Sequence, residues 1–175
     1  TKNLYSWNEE PFLDIYVTNK SSNDSIVNHK SKLKGHVNTA FHEGPLTISK
    51  DGKTMYFSRN DFNKQILGKS DIGITNLKIY KATLVEGKWT NIIELQFNSN
   101  AYSISHPALN ADDSKLYFTS DMPGGFGGTD LYYVDVKNML PKDKELDVFF
   151  RLNVNDKIDR LLELYREGLV KLEDG

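Results

Sequence analysis

The chain has 175 residues, a formal net charge of -2 and no cysteine. A charge this close to zero gives no global electrostatic reason to bind nucleic acid or an anionic membrane surface. The absence of cysteine excludes disulfides, thiolate nucleophiles and cysteine-ligated zinc. No apolar run approaches the roughly 20 residues that a membrane helix needs, so we predict no direct membrane insertion.

Residues 1–40 are predicted to form part of a leading β unit. Its clearest strand is Leu13-Asp14-Ile15-Tyr16-Val17, which combines aromatic and β-branched residues. Related segments return at residues 76–81 and 129–134, each time after a strand that contains a Tyr-Phe pair. The leading unit therefore holds an isolated copy of a strand that belongs to a larger repeat.

Residues 41–97 contain a complete unit. Strands are predicted at residues 46–49, 54–59, 77–84 and 89–97. Asp51-Gly52 predicts a type I′ turn between the first two, because glycine adopts positive φ at little cost. Residues 86–89 predict a hairpin between the last two. Four short antiparallel strands in succession are typical of a propeller blade.

Residues 98–141 repeat much of this unit and are predicted to form an incomplete blade. Residues 44–60 and 105–121 align without a gap at an offset of 61 residues, which places Tyr56 on Tyr117 and Phe57 on Phe118. A period of this order indicates a propeller or an array. Asp112-Asp113 replaces the Asp-Gly turn, so the turn there is expected to be strained or of another type.

Residues 142–175 do not resemble a blade and are predicted to form a helical tail. Asp156 can cap a helix that Gly168 ends, with Ile158, Leu161, Leu162 and Tyr165 along one face. Three origins stay open: a helix that packs on the propeller, the start of another domain, or foreign sequence. The predicted fold class is thus all-β, a partial β-propeller of four-stranded antiparallel blades with a C-terminal amphipathic helix.

The most specific segment is 106–132, which reads HPALNADDSKLYFTSDMPGGFGGTDLY. It resembles the WD-type propeller repeat of TolB-like proteins, especially the version in outer-membrane-protein-A-family, peptidoglycan-associated envelope proteins of Bacteroidota. Residues 7–17 and 41–45 are similar to the same group. The resemblance extends over residues 1–137 and implies a β-propeller in a periplasmic or outer-membrane-associated protein. Some members of the group serve type IX secretion and gliding.

The resemblance has further implications for partners. It implies a protein partner in the cell envelope, and contact with peptidoglycan only through domains outside this chain. A closed propeller typically has about 4 to 8 blades, whereas this chain supplies two units and a leading part. We therefore expect either an excerpt of a longer ring or an oligomer that completes the propeller, because open sheet edges favour association.

No residue set predicts catalysis, a cofactor or a metal. Gly124-Gly125-Phe126-Gly127-Gly128 has the composition of a phosphate loop but leads into a strand, so we interpret it as a tight connection. His29, His36, His42 and His106 lack the spacing of a helical zinc site. His42 and His106 occupy nearly equivalent repeat positions, which predicts a recurring structural hydrogen bond.

The connections between strands provide the candidate binding surface, because propellers often place binding groups there. The candidate partner-binding residues are Arg59, Asp61, Phe62, Asp71, Asp121, Met122, Phe126 and Asp130. We expect a non-catalytic module that presents these loops to a protein partner. The alternative is a glycan-binding propeller, with Tyr5, Trp7, Tyr102 or Phe126 stacked on a sugar, or a carbohydrate-active or peptidase-associated one, which would need paired carboxylates.

Overall fold

The computed structural model describes residue 4 and residues 9–18, 30–63, 66–139 and 150–151. These residues form β-strands and one 3-10 turn (Val136–Asn138), with no α-helix among them. The strands are β1 (Tyr16–Thr18), β2 (Lys30–Lys32), β3 (Glu43–Ile48), β4 (Thr54–Asn60), β5 (Phe62–Asn63), β6 (Ile66–Leu67), β7 (Leu77–Val85), β8 (Lys88–Glu94), β9 (Ile104–Leu109), β10 (Lys115–Ser120), β11 (Asp130–Asp135) and β12 (Phe150–Arg151).

The predicted all-β class is confirmed for this part of the chain. The helix predicted between Asp156 and Gly168 lies outside the described residues. Within the described ranges, no helix is long and apolar enough to cross a bilayer.

Two four-stranded antiparallel sheets form the body of the structure. The first has the order β3-β4-β7-β8, and the second has the order β9-β10-β11-β12. The hairpin β5-β6 is inserted between β4 and β7, in a connection that the sequence analysis treated as a loop. Phe150 and Arg151 lie in the segment predicted as a tail, yet they pair with β11 as the fourth strand of the second sheet.

The 61-residue repeat is visible in the strand register. The pairing register of β3 with β4 shifts between the two ends of the strands, and the same shift occurs between β9 and β10. Equivalent pairs in the two sheets are Glu43↔Arg59 and Ile104↔Ser120, Thr47↔Tyr56 and Ala108↔Tyr117, and Ile48↔Met55 and Leu109↔Leu116. A one-residue slip would have turned every side chain to the other face, so the repeated sequence encodes one repeated pairing.

A turn joins β3 and β4 at Asp51-Gly52, as predicted, but the predicted type I′ geometry is wrong. A type I′ turn needs positive φ at both central residues, but of these two only Gly52 has it, at 70°. The second sheet uses the same position with Asp113 at a φ of 58°. The predicted hairpin at Glu86-Gly87 is confirmed, and both of its turn residues have positive φ, 48° and 72°.

A third, two-stranded antiparallel sheet, β1-β2, precedes the first four-stranded sheet. One apolar core packs Ile15, the residue before β1, against Phe57 and Tyr80 of the first sheet, whereas the residues of β1 and β2 themselves are exposed. A second core lies between the two larger sheets, and includes Ile79 and Phe118. Complete burial of side chains of this size stabilises a fold by about 1.5–3 kcal/mol each, so the stacking of successive sheets is the main source of stability.

Three hydrogen bonds join the two larger sheets where β9 runs beside β3 and β4. The backbone N–H groups of Leu109 and His106 donate to Thr47 Oγ1 (3.2 Å) and Ser58 Oγ (3.0 Å). At the turns, the Lys50 N–H donates to Asp113 Oδ2 (2.7 Å). These bonds fix the second sheet against the first.

Candidate functional site

Four connecting segments meet at one end of the sheets, because a meander returns to the same end after every second strand. Two of them, residues 61–76 and 121–129, join the second and third strands of each large sheet. The other two, residues 33–42 and 95–103, lead into β3 and β9. We call this end the connection end. Most of the candidate partner-binding residues lie on it.

Two asparagine side chains hold the connection end in place. Asn38 accepts a hydrogen bond from the Ile15 N–H (2.8 Å) and donates one to the Ile15 carbonyl (2.9 Å). Asn98 makes the same two bonds to Ile79, at 2.9 and 2.7 Å. Each amide oxygen accepts from a strand N–H, and each amide NH₂ adds a second donor to a carbonyl that also accepts from a backbone N–H. The segments that follow these asparagines are thereby fixed to the sheets.

His42 makes the structural hydrogen bond predicted for it. Its Nδ1 accepts from the Leu13 N–H (3.1 Å), and its own N–H donates to Asn60 Oδ1 (3.0 Å). Burial lowers the pKa of the imidazole, which favours the neutral ring that this acceptor role requires.

The predicted equivalence of His42 and His106 is wrong. Ser103 takes the place of His42 in the second repeat, because its N–H donates to Asp121 Oδ1 (2.7 Å) and its Oγ accepts from the Leu77 N–H (3.2 Å). His106 instead lies within β9 with a φ of 55°, where its register with β10 shifts. Its ring contacts the neighbouring Ser105 hydroxyl at 2.8 Å.

An open apolar pocket of about 450 Å³ lies at the connection end. Its aromatic wall is continuous: the ring centroids of Phe12 and Phe41 are 5.4 Å apart, those of Phe12 and His42 4.7 Å, and those of Phe41 and Phe62 5.0 Å. The pocket is lined by Leu4, Phe12, Phe41, His42, Asn60, Leu67, Ile74 and Thr75.

Two apolar residues that line the pocket are also exposed: Leu4 is 52% exposed, and Ile74, on the connection between β6 and β7, is 53% exposed. Single exposed apolar residues need no explanation, but exposed apolar residues that line a concave aromatic pocket mark a candidate interaction site.

A buried charged cluster anchors the connection between β4 and β7. The Lys78 ammonium lies 2.9 Å from Asp61, 3.1 Å from Glu94 and 2.8 Å from the side-chain oxygen of Asn100. A β-carbon on Gly68 would lie 1.8 Å from the Asp61 carboxylate, so only glycine fits there. Loss of one partner would leave a buried charge uncompensated, and the cluster therefore holds the hairpin β5-β6 at the base of the pocket.

Glu43 and Arg59 form the other charged part of this region. The Thr39 hydroxyl donates to Glu43 Oε1 at 2.5 Å, while Oε2 has no hydrogen-bond partner. Burial raises the pKa of Glu43 to about 7. The Arg59 guanidinium lies 4.0 Å from the centroid of the Tyr80 ring, a cation–π contact.

The glycine-rich segment surrounds a carboxylate of its own chain. The Gly127 N–H donates to Asp130 Oδ2 (3.3 Å), and a β-carbon on Gly125 would lie 2.0 Å from the same oxygen. Gly124 has a φ of 90°, and the segment leads directly into β11. The prediction that the segment leads into a strand is confirmed.

The eight candidate partner-binding residues divide by burial. Asp61 is buried in the charged cluster, and Arg59 is buried over the Tyr80 ring. Phe62 packs on Phe41, and Met122 packs on the core between the large sheets. Asp130 is half-buried, whereas the exposed members are Asp71, Asp121 and Phe126.

Sequence reasoning missed Phe12, Phe41, Leu67 and Ile74, which line the pocket. Their apolar character inside connections was the available signal, because connections normally expose polar residues. Of the described residues, no group of three or more histidines or acidic residues could hold a metal ion.

No family model, curated protein or solved structure matches the chain.

Proposed function

We propose that the chain is a non-catalytic binding module, built from successive β-propeller blades, that holds an apolar segment of a protein partner at the connection end. The two large sheets are successive blades in this proposal, and β1-β2 is the outer half of a leading one. In keeping with the sequence resemblance, the partner is a protein of the bacterial cell envelope.

The apolar pocket carries this proposal. Its volume of about 450 Å³ lies within the range of ligand pockets and suits one or two large apolar side chains. The pocket wall is fixed by the Asn38 amide and by the charged cluster around Lys78. Binding to a pre-organised surface loses less conformational entropy, so a rigid pocket favours affinity.

The buried carboxylates support a non-catalytic role. Asp61 and Glu94 are brought together, as a carbohydrate-active site would require, but the Lys78 ammonium lies between them at 2.9 and 3.1 Å. A carboxylate neutralised in this way is a poor general base or nucleophile.

Selection from a random twelve-residue peptide library on the immobilised chain tests the proposal. Selected peptides are expected to carry Phe, Leu, Ile or Trp, because these side chains fill an apolar pocket. Their affinity for Ile74→Asp should fall by about tenfold or more, which corresponds to about 1.4 kcal/mol. Fluorescence anisotropy with labelled peptide measures this.

Val85→Asp is the matched control, since Val85 is 45% exposed against 53% for Ile74 and lies at the opposite end of the first sheet. Equal loss of affinity in both variants, or selection of peptides without apolar residues, would contradict the proposal. Retention of cell-wall glycan fragments in place of peptides would favour the glycan-binding alternative.

A further inference from the structure

We propose that Arg59 and Glu43 form a conformational switch that responds to pH. The Arg59 guanidinium lies over the Tyr80 ring while Glu43 is neutral, and it moves to pair with the Glu43 carboxylate when that group is ionised. The switch lies inside the first large sheet and is independent of the apolar pocket.

Glu43 and Arg59 are neighbours that do not bind each other. They lie directly opposite in the register of β3 and β4, where the β-carbons of such a pair are about 5 Å apart. Both residues are buried, yet neither takes part in an ion pair of the described residues. Glu43 Oε2 and Arg59 Nε are both buried without a hydrogen-bond partner. One atom is an acceptor and the other a donor, so each lacks what the other supplies.

Arg59 has a different partner in this structure, on the other side of its strand. Its guanidinium carbon lies 4.0 Å from the centroid of the Tyr80 ring. Tyr80 belongs to β7 and pairs with Phe57, two residues before Arg59 on β4, so it lies on the same face of the sheet as Arg59. In the order β3-β4-β7-β8, β4 lies between the strand that carries Glu43 and the strand that carries Tyr80. Rotation of the arginine side chain would therefore exchange an aromatic partner for a carboxylate.

Ionisation of Glu43 reverses the preference of the guanidinium. A neutral carboxyl group needs no counter-charge, so the cation–π contact with Tyr80 holds the arginine. A buried carboxylate without a counter-charge is strongly destabilising, whereas pairing with Arg59 supplies both the charge and a donor for Oε2. Burial raises the pKa of Glu43 to about 7, so this change of charge occurs near neutral pH. The arrangement in the structure is the one expected for neutral Glu43.

The other charged and titratable groups around this carboxyl group are already engaged. They are Asp14 before β1, Lys32 on β2, His42 next to it in the chain, and Lys78 and Tyr80 on β7. Asp14 and Lys32 form an ion pair with each other. Lys78 is bound by two carboxylates. Burial lowers the pKa of His42, which favours its neutral ring at the pH where the carboxyl group ionises. The guanidinium is therefore the nearby cation that can change partner.

The switch lies where the leading unit meets the first large sheet. The Glu43 N–H donates to the Leu13 carbonyl at 2.9 Å, and the Tyr80 ring belongs to the apolar core that also contains Ile15. Movement of Arg59 away from the ring changes the packing at this junction. The protonation of one carboxyl group thus affects the contact between the leading unit and the sheet.

Nuclear magnetic resonance of the full chain tests the inference, because it observes the two partners separately. The carboxyl carbon shift of Glu43 reports its ionisation, and the Arg59 Nε–H shift reports the position of the guanidinium. An aromatic face shifts a proton above it upfield, whereas a hydrogen bond to a carboxylate shifts the proton downfield. Between about pH 5 and pH 9 we expect the Arg59 signal to move downfield with the same midpoint as the Glu43 titration. Arg59→Lys identifies the signal by its absence.

Two variants make the test specific. Glu43→Gln should keep the Arg59 signal at its low-pH position throughout, because glutamine stays neutral. Thr39→Val should raise the midpoint of both titrations by about 0.5–1 pH unit, because it removes the hydroxyl that donates to Glu43 Oε1. Thr90→Val is the matched control, since Thr90 is half-buried like Thr39 but lies on β8, and it should leave the midpoint unchanged.

Three outcomes would overturn the inference. In the first, Glu43 ionises while the Arg59 signal stays in place. In the second, the movement of the Arg59 signal persists in Glu43→Gln, which retains His42, so that another group would be its cause. In the third, the midpoint of the Arg59 signal does not follow that of Glu43 in Thr39→Val. The first and third outcomes can be read without Glu43→Gln, so the test does not depend on the folding of that variant.

Discussion

The substitution Glu43→Gln is expected to remove a pH dependence of the free energy of unfolding that the wild-type chain shows. The Glu43 side chain is 1% exposed, and burial raises the pKa of its carboxyl group to about 7. The Thr39 hydroxyl and the positive charge of Arg59 oppose this shift, but they do not offset it. Glutamine has nearly the same shape and stays neutral at every pH, so it resembles the protonated glutamic acid.

The sign of the effect follows from proton binding. The ordinary pKa of 4.5 applies to the unfolded chain, and the folded chain holds its proton until about pH 7. Between these values the folded state binds more protons, so the free energy of unfolding falls as pH rises. Because one pKa unit corresponds to about 1.4 kcal/mol, we expect the unfolding free energy of the wild type to fall by about 3 kcal/mol relative to that of Glu43→Gln between pH 4.5 and pH 8, mostly below pH 7.

Urea denaturation at several pH values from 4.5 to 8 measures this difference, because titration of all other groups cancels between the two proteins. Glu86→Gln is the matched control: Glu86 is exposed at the hairpin turn, so its variant should follow the wild type within about 0.5 kcal/mol. If the unfolding free energies of wild type and Glu43→Gln differed by a constant amount across the pH range, the reasoning would be refuted.

Three further substitutions should change stability by amounts that urea denaturation can resolve. Gly35→Ala should cost about 3 kcal/mol or more, because its β-carbon would lie 1.9 Å from the Trp89 carbonyl oxygen at a φ of 120°. Asn98→Ala should cost about 2–3 kcal/mol, because it removes two hydrogen bonds to Ile79 and leaves the partly buried Ile79 N–H without its acceptor; Ser99→Ala, one residue further on, should cost less. Ser58→Ala should cost about 1 kcal/mol, because the His106 N–H then loses its acceptor; an unchanged midpoint would show that water replaces the hydroxyl.

Local sequence patterns determined the strands and their order. The first Tyr-Phe strand was predicted at residues 54–59 and spans Thr54–Asn60, because aromatic and β-branched residues favour strands. The 61-residue offset of the sequence repeat is also the offset between equivalent register pairs in the two sheets. The Asp51-Gly52 pair indicated a turn but not its type, because an Asp-Gly pair fits more than one turn geometry.

Contacts between distant segments were decided only by the tertiary structure. Arg59 and Asp61 read as exposed loop residues, yet Asp61 is bound to Lys78 across the sheet and Arg59 is packed over Tyr80. The pocket combines Phe12, Phe41 and Ile74, which come from three connections. A strand pattern shows which side chains share a face, but not which segment covers that face. The sequence by itself therefore determined the repeated β architecture, whereas the pocket and the charged cluster depend on how the sheets and their connections pack.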